Sequence, residues 1–317
     1  MAITLAQADY YTVPDLQRGI IETIIEEGKE VYDRLPFESI AGASFDYDRE
    51  STLPAVGFYS PNEVITESTG IVVRVSTTLK EILGDSDLDK FLRDTKSDKM
   101  SIEADYMRMA TKSLVRFWMD KFIYGDTATN IKSFNGLHKL CDTTQVVRSA
   151  IADVNGADMS LGKIDQLIDK IKPGKPDVLI MSKRSRRLLS AAVRVAATVG
   201  YLTYGVDQFG SRVMFYDNIP ILVSDFVTDT ESTDATGYYA SQTLGDQTSV
   251  IAVKFGAVTE GGLMGLQNGS MAQFERIDPI PNKDSVRFRV KWYTSLALGN
   301  IYSLAEYVGI TGGAVGV

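Results

Sequence analysis

Apolar positions follow different rhythms along this chain, and the changes of rhythm divide it into elements. Near the start, Ile20, Ile21, Ile24, Ile25, Val31 and Tyr32 recur at close to helical spacing. Asp15, after Pro14, can cap that helix and Pro36 ends it. From Phe45 to Leu79 the period shortens: Ile71, Val73 and Val75 alternate with Val72, Arg74 and Ser76, and turn formers stand at Pro54, Gly57, Ser60-Pro61-Asn62 and Gly70. Strands joined by long turns fit this pattern. The first limb carries few apolar residues, and a lone two-stranded hairpin is marginal in water, so a partner surface is implied.

From Thr95 the helical rhythm returns, with Thr95 and Asp98 resembling a capping pair. Ala104, Met107, Ala110, Leu114, Phe117 and Trp118 form a stripe expected to face a core, while Arg93, Lys99, Arg108, Lys112 and Lys121 charge the opposite side. A helix from Thr95 to Tyr124 would run about 40 Å at the standard rise. It ends at Gly125-Asp126, and a polar, turn-prone stretch follows to about Asn155.

The second half reads as a sheet domain. Leu161 to Ile171 places Ile164, Leu167, Ile168 and Ile171 on one helix face before Pro173-Gly174. Val178 to Met181 reads as a strand buried on both faces. Ser182 can cap the next helix, with Leu188, Leu189, Ala192, Val195 and Val199 inward and Gly200 as its stop. Further strands are predicted at Val213 to Tyr216, Ile219 to Val223, Val250 to Phe255, Ala272 to Ile277 and Val286 to Trp292. The Gly-rich tail from Gly309 to Val317 is expected to be mobile. No internal repeat is visible.

Composition narrows the function classes. With 317 residues the chain can hold one large or two ordinary domains. Its 44% hydrophobic and 23% charged residues indicate a folded chain, not a disordered one. The balance of 33 basic against 41 acidic residues gives −8, which as a whole repels nucleic acid and anionic bilayers, so any DNA contact must be local. Between Met1 and Pro36, seven acids (Asp9, Asp15, Glu22, Glu26, Glu27, Glu30, Asp33) against three bases (Arg18, Lys29, Arg34) give −4, half of the total. A single cysteine, Cys141, excludes an intrachain disulfide and fits a reducing cytoplasm without requiring it. No secretory pattern opens the sequence, and the apolar run from Ser190 to Leu202 is broken by Arg194 and too short to span a bilayer. A soluble protein without a membrane partner is expected.

Candidate chemistry is sparse. His138 and Cys141, three apart, are the sole pair resembling a nucleophile with its base, and ordinary packing explains them better. Asp85, Asp87 and Asp89 lack the Gly and distal Glu of a calcium loop and read as a solvated run flanking the helix. Pro173-Gly174-Lys175-Pro176 lacks the first Gly and the Ser/Thr of a phosphate loop. Gly261, Gly262, Gly265 and Gly269 miss the dinucleotide spacing and read as turns, with Asn268-Gly269 an Asn-Gly turn. No cofactor or metal is implied. Lys183, Arg184, Arg186 and Arg187 crowd a helix start where the macrodipole disfavours cations, so something must compensate them. An inter-subunit salt-bridge face or solvated surface explains that cluster better than nucleic acid.

The run from Phe117 to Leu137, with Gly125-Asp126 after the long helix and Phe134-Asn135-Gly136-Leu137 beyond it, resembles tailed-phage major capsid proteins of the Hong Kong 97-like fold. Leu179-Ile180-Met181-Ser182, Arg186-Arg187-Leu188-Leu189, Gly210, Asp217-Asn218-Ile219-Pro220-Ile221 and Ser224-Asp225 resemble that family's axial-domain signature. Phe288-Arg289-Val290 and Ala297 to Ala305 resemble its peripheral-domain ending, and the likeness covers nearly the whole chain in order.

The resemblance implies an α+β fold with an N-terminal arm (1–36), an extended β-hairpin loop (37–80) and a peripheral domain with a spine helix (81–155). An α/β axial domain (156–250) and return strands (251–317) complete it. It implies a non-enzymatic subunit that assembles into pentamers and hexamers of an icosahedral virion shell, in the host cytoplasm, around double-stranded DNA bound without sequence specificity. Candidate subunit-interface residues are Arg18, Arg49, Glu50, Glu63, Glu67, Arg74, Arg186 and Arg194. The chain has no room for the large scaffolding region some members carry, so a separate scaffolding protein or prior cleavage is implied, alongside a portal and a cement protein. Lysine-asparagine crosslinks of the family are in doubt, because Phe45 to Leu79 contains no Lys and only Lys80 stands at its border. The alternatives are an encapsulin-type nanocompartment shell, which shares the fold, and a small-molecule α/β enzyme, suggested by the strand-helix step from Val178 to Val199.

Overall fold

Val178–Met181 lies at the centre of the structure with all four side chains buried. The computed structural model describes residues 29–95, 99–149, 156–195, 202–206, 212–231, 246–278, 280–281 and 283–316. In chain order its first elements are α1 (Lys29–Arg34), β1 (Phe37–Ser39), β2 (Ser44–Thr52), β3 (Ile71–Thr78), β4 (Lys80–Asp89), α2 (Lys90–Thr95), α3 (Lys99–Tyr124) and α4 (Leu137–Leu140). Then come β5 (Val146–Arg148), β6 (Ala157–Ser160), α5 (Leu161–Lys170), β7 (Val178–Met181), α6 (Lys183–Val195), β8 (Leu202–Val206), β9 (Arg212–Tyr216) and β10 (Ile219–Val223). The last are β11 (Thr248–Val253), β12 (Leu263–Ile277), β13 (Ser285–Leu298) and β14 (Leu304–Gly316).

The larger sheet has the order β5-β14-β11-β7-β10-β9-β8, with β6 also paired to β14. Side chains alternate across a strand, and β7 uses that period to feed two cores. Val178 and Ile180 join Trp118, Phe122, Ile251 and Val253 on one side. Leu179 and Met181 join Ile164, Leu167, Leu189 and Tyr307 on the other. The sheet is therefore a middle layer, with α5 and α6 against one face and the C-terminal half of α3 against the opposite one. Ser182 caps α6 as expected, its Oγ accepting from the Ser185 N–H at 3.2 Å.

The smaller sheet has the order β1-β12-β13-β4 and lies against the other flank of α3. Trp118 of α3 meets Trp292 of β13 at 5.4 Å between ring centroids, and Tyr32 of α1 at 4.6 Å. Fully burying an aromatic or large aliphatic side chain of this kind contributes about 1.5–3 kcal/mol. Among the described residues strands β2 and β3 pair only with each other, from Ser44 opposite Thr78 to Thr52 opposite Ile71.

Several expectations are corrected. Thr95 lies inside helix α2, its hydroxyl donating to the Phe91 carbonyl at 2.6 Å, and the long helix is described from Lys99. Asp98, the other half of the supposed capping pair, lies outside the described residues, as does the arm helix before Lys29. Asp85, Asp87 and Asp89 belong to strand β4, because Arg289, Arg287 and Ser285 of β13 stand opposite them. The Gly-rich tail is not loose chain: up to Gly316 it is β14, paired with β11, β5 and β6 and sealed by buried Tyr307, Val308 and Ile310. Asn268-Gly269 sits inside β12, where the register with β13 shifts and Gly269 takes φ +77°. Gly265 is likewise inside β12, where a Cβ would come within 2.4 Å of the Phe37 ring. Ala297 lies in β13 of the smaller sheet, whereas Ala305 already belongs to β14 of the larger one.

Candidate assembly surfaces

The β2–β3 hairpin is built from residues that find little to cover within their own chain. Its segment between the strands is exposed throughout, including Leu53, Val56, Phe58, Val64 and Ile65, and Ile71, Val72 and Val73 of β3 are exposed as well. The tip folds on itself only locally: the Ser60 N–H donates to Glu63 Oε2 at 2.7 Å and the Ala55 N–H to Ser68 Oγ at 2.9 Å. Contiguous apolar display of this kind marks an interaction surface.

The root of the hairpin is fixed firmly. Phe45 and Tyr47 pack beside Met264, Leu266 and Ala297 of the smaller sheet. The Tyr47 hydroxyl donates to the Leu298 carbonyl at 2.8 Å, and Arg49 donates from Nη2 to the same carbonyl at 2.7 Å and from Nε to Gly299 at 3.1 Å. These hydrogen bonds of Arg49, a candidate subunit-interface residue, lie within its own chain. Arg74 pairs across the hairpin with Asp48 at 3.1 Å, also within the chain. Glu50 and Glu67 are exposed on the hairpin, and Arg186 is exposed on α6. Arg18 and the Arg194 side chain lie outside the described residues.

A second surface, open among the described residues, runs between α3 and β4. Ile82, Leu83, Met109, Leu114, Phe117 and Val290 line a groove of about 520 Å³, together with polar Glu81, Asp85 and Ser86. Phe117, expected in the buried stripe with Trp118, is half exposed here. Among the described residues strand β4 is the edge of its sheet, with one side of its backbone open to a further strand.

Charge is largely settled inside the chain. Arg289 forks onto Asp85 at 2.8 and 2.9 Å, and Arg287 onto Asp87 at 2.7 and 3.0 Å. Those hydrogen bonds and the guanidinium charges hold both carboxyls below the usual range against the opposing effect of burial. At the start of α6, Lys183 pairs with Asp225 and Arg184 with Asp229 and Asp246, which supplies the compensation the helix dipole demands.

His138 sits in a polar cluster. Its Nδ1 lies 3.1 Å from Glu306 Oε2, its Nε2 3.7 Å from Glu231 Oε1, and its ring stacks on Tyr124 at 5.0 Å. The two glutamates are the partners that sequence reasoning missed; a carboxylate inside the apolar run Leu304 to Ile310 was the available signal. Burial pushes the Cys141 thiol up, which keeps it neutral and weakly nucleophilic. Among the described residues no group of three His, Cys, Asp or Glu side chains is placed to hold a metal, and no helix is long and apolar enough to cross a membrane.

No family model matches the chain, and no curated relative does either. Solved structures match along its whole length. The holo-SrpI encapsulin complex from Synechococcus elongatus PCC 7942 superposes with a TM-score of 0.70 at 13% identity, covering 100% of this chain and 99% of that one. This is the Hong Kong 97-like fold. The capsid of a native GTA particle shares it at a TM-score of 0.61 and 15% identity, covering 97% and 99% of the two chains. Mycobacterium phage Bobi does so at 0.59 and 12%, again covering 97% and 99%. At such identities the likeness is one of fold, and in the Hong Kong 97-like fold of this chain the hairpin tip and the α3–β4 groove are exposed among the described residues.

Proposed function

We propose that this chain is a tailed-bacteriophage major capsid protein that assembles into pentamers and hexamers of an icosahedral shell enclosing double-stranded DNA. One observation carries the reading: a hairpin anchored rigidly at Arg49 and Tyr47 yet apolar and bare at its tip, on a fold shared with shells. Such a part gains its stability from a neighbouring copy, because a bare two-stranded tip has no core of its own. In this reading the smaller sheet and α3 are the peripheral domain and the larger sheet is the axial domain. The contacts between subunits are heterologous and close into rings. The subunit acts without catalysis, within the virion, after assembly in the host cytoplasm with a separate scaffolding protein, a portal and a cement protein. The acidic arm, at −4, lines the lumen and keeps packaged DNA off the wall. Neutralising Glu22, Glu26, Glu27 and Glu30 to Gln then increases retention of subunits on DNA at low salt, and the increase fades as salt screens it.

A second reading, an encapsulin-type nanocompartment shell, is favoured by the full-length superposition on an encapsulin, at the highest TM-score of the three structures described above. The contents of native particles separate the two. Nuclease-protected DNA of genome length supports the capsid, whereas a stoichiometric protein cargo without such DNA supports the nanocompartment.

A further inference from the structure

Beyond one point the hairpin loses all cover from its own chain. Every residue from Glu50 to Arg74 is exposed, whereas Tyr47 and Arg49 of β2, and Val75 opposite Tyr47, are still partly covered. Arg49 is therefore the residue of β2 at which the hairpin leaves the body. It leaves from a fixed platform. Strand β13 runs past its last pair with β4, Thr294 opposite Lys80, to Leu298, where the chain crosses from the smaller sheet toward β14 of the larger one. Gly299 follows in that crossover, its N–H donating to the Gly262 carbonyl at 2.9 Å. A Cβ on Gly299 would come within 2.5 Å of the Val258 carbonyl oxygen and 2.8 Å of the Gly261 Cα, so the crossover is packed against its neighbour without slack.

Arg49 grips this platform at two points. Its Nη2 donates to the Leu298 carbonyl at 2.7 Å and its Nε to the Gly299 carbonyl at 3.1 Å. Tyr47, two residues back on the same face of β2, donates from its hydroxyl to the Leu298 carbonyl at 2.8 Å. The donors of a guanidinium are fixed relative to one another, so two hydrogen bonds from it specify an orientation, which a single ammonium on a flexible stem does not. The Arg49 charge also reaches Asp142, whose carboxyl is held below its ordinary range first by the Thr144 N–H and hydroxyl and then by Arg49. Asp142 caps the short turn Thr143–Gln145, which leads into β5 at the edge of the larger sheet. One side chain thus acts on the hairpin, the end of the smaller sheet and the approach to the larger one.

The leverage on the tip is large. At about 3.3 Å per residue the chain from Arg49 to Pro61 extends at most about 40 Å, so a tilt of about 10° at Arg49 moves the tip by about 7 Å. That exceeds the roughly 4.8 Å between paired strands and is enough to carry an apolar tip off its site. We infer that Arg49, backed by Tyr47, aims the hairpin: its fork onto the Leu298 and Gly299 carbonyls sets the angle at which the hairpin leaves the body, and through it the angle between neighbouring subunits of a shell. The effect between subunits rests on the shell reading; the aim itself is a property of the single chain. Arg49 is a positioning residue, acting through the hairpin it holds.

Pulsed electron paramagnetic resonance on full-length subunits, spin-labelled at Phe58→Cys in the tip and Gln166→Cys on the exposed face of α5, measures the aim without any shell. Protein lacking both substitutions controls for labelling of the buried Cys141. With Arg49 present one narrow distance distribution is expected, and Arg49→Ala is expected to widen it by about 7 Å or more while the melting transition stays in place. Arg49→Lys, which keeps the charge and loses the fork, is expected to widen it as well, and its shells to vary in diameter where the parent protein gives one size. Where Arg49→Ala fails to fold, Tyr47→Phe, which removes one of the three hydrogen bonds, is expected to give a smaller widening. The aiming role is overturned by a distribution already broad with Arg49 present, by one that stays narrow in Arg49→Ala and Arg49→Lys, or by widening that comes only with loss of the melting transition. Shells of the parent's uniform size built from Arg49→Lys subunits overturn the link to shell geometry and leave the shell reading standing. A parent protein that never assembles overturns the shell reading and that link together, while the distances still decide the aim.

Discussion

At His138, burial and charge compete on a single side chain. Burial alone would lower its pKa, but the charge of Glu306 and the hydrogen bonds of Glu231 and Glu306 outweigh it and raise the value to about 10. A folded value above the unfolded one means that the pairing stabilises the fold fully below about pH 6.5 and that this contribution is lost as pH rises through about 10. His138→Ala, which leaves a buried carboxylate without its cation, is expected to cost about 3–5 kcal/mol at neutral pH. Chemical denaturation across the pH range checks this: the gap from the parent protein should close as pH passes 10, and a gap that widens there would contradict the pairing. At Asp85 the sign is opposite. Arg289→Ala is expected to return that carboxyl toward its ordinary range in an NMR titration, yet to cost less than about 1 kcal/mol, because the pair is partly solvated. Local sequence showed His138 and Cys141 as neighbours but not Glu306, 168 residues further on. Only the β14 pairing brings that carboxylate beside the imidazole.

Elements with a strong internal rhythm were legible, and those defined by a distant partner were not. Val178–Met181 and Ile219–Val223 were read to the residue, because an apolar run between turn formers leaves little choice. Strand β4 was missed, since Asp85, Asp87 and Asp89 look like solvated acids until Arg287 and Arg289 stand opposite them, although the spacing of two in both segments was a strand signal. In α3 the stripe was right for Leu114 and Trp118 and wrong for Phe117, because the cores cover a narrower face than the stripe. Two tests separate structural elements from assembly elements. Deleting 57–70 is expected to leave the subunit's melting transition nearly intact and to block shell formation, whereas Trp118→Ala is expected to cost about 3–5 kcal/mol in the subunit itself. A deletion as damaging to the melt as Trp118→Ala would make the hairpin part of the internal structure. Phe117→Ser, at the exposed groove, is expected to stay within about 0.5 kcal/mol of the parent in denaturant while weakening assembly seen by light scattering.

For the whole molecule, the order of hairpin, long helix and sheet domain was readable from the sequence, whereas the split into two sheets sharing α3 was not, because it depends on pairings such as β14 with β5 and β4 with β13. Covalent locking of the assembled particle is not expected. The hairpin segment from Phe45 to Leu79 has no lysine, and Lys80 Nζ donates to the Ile131 carbonyl at 2.8 Å within its own chain. Mature particles boiled in detergent should therefore give monomers, and a ladder of covalent multimers would refute this. The central claim is that the bare hairpin and groove are completed by other copies of the same chain. Electron cryo-microscopy of the purified full-length protein, with and without its scaffold and across assembly-promoting salt and pH, tests it most directly. The predicted result is closed icosahedral shells of pentamers and hexamers in which the tip around Phe58 is covered by a neighbouring subunit; particles that remain monomeric under every condition, or shells in which that tip stays bare, would contradict it.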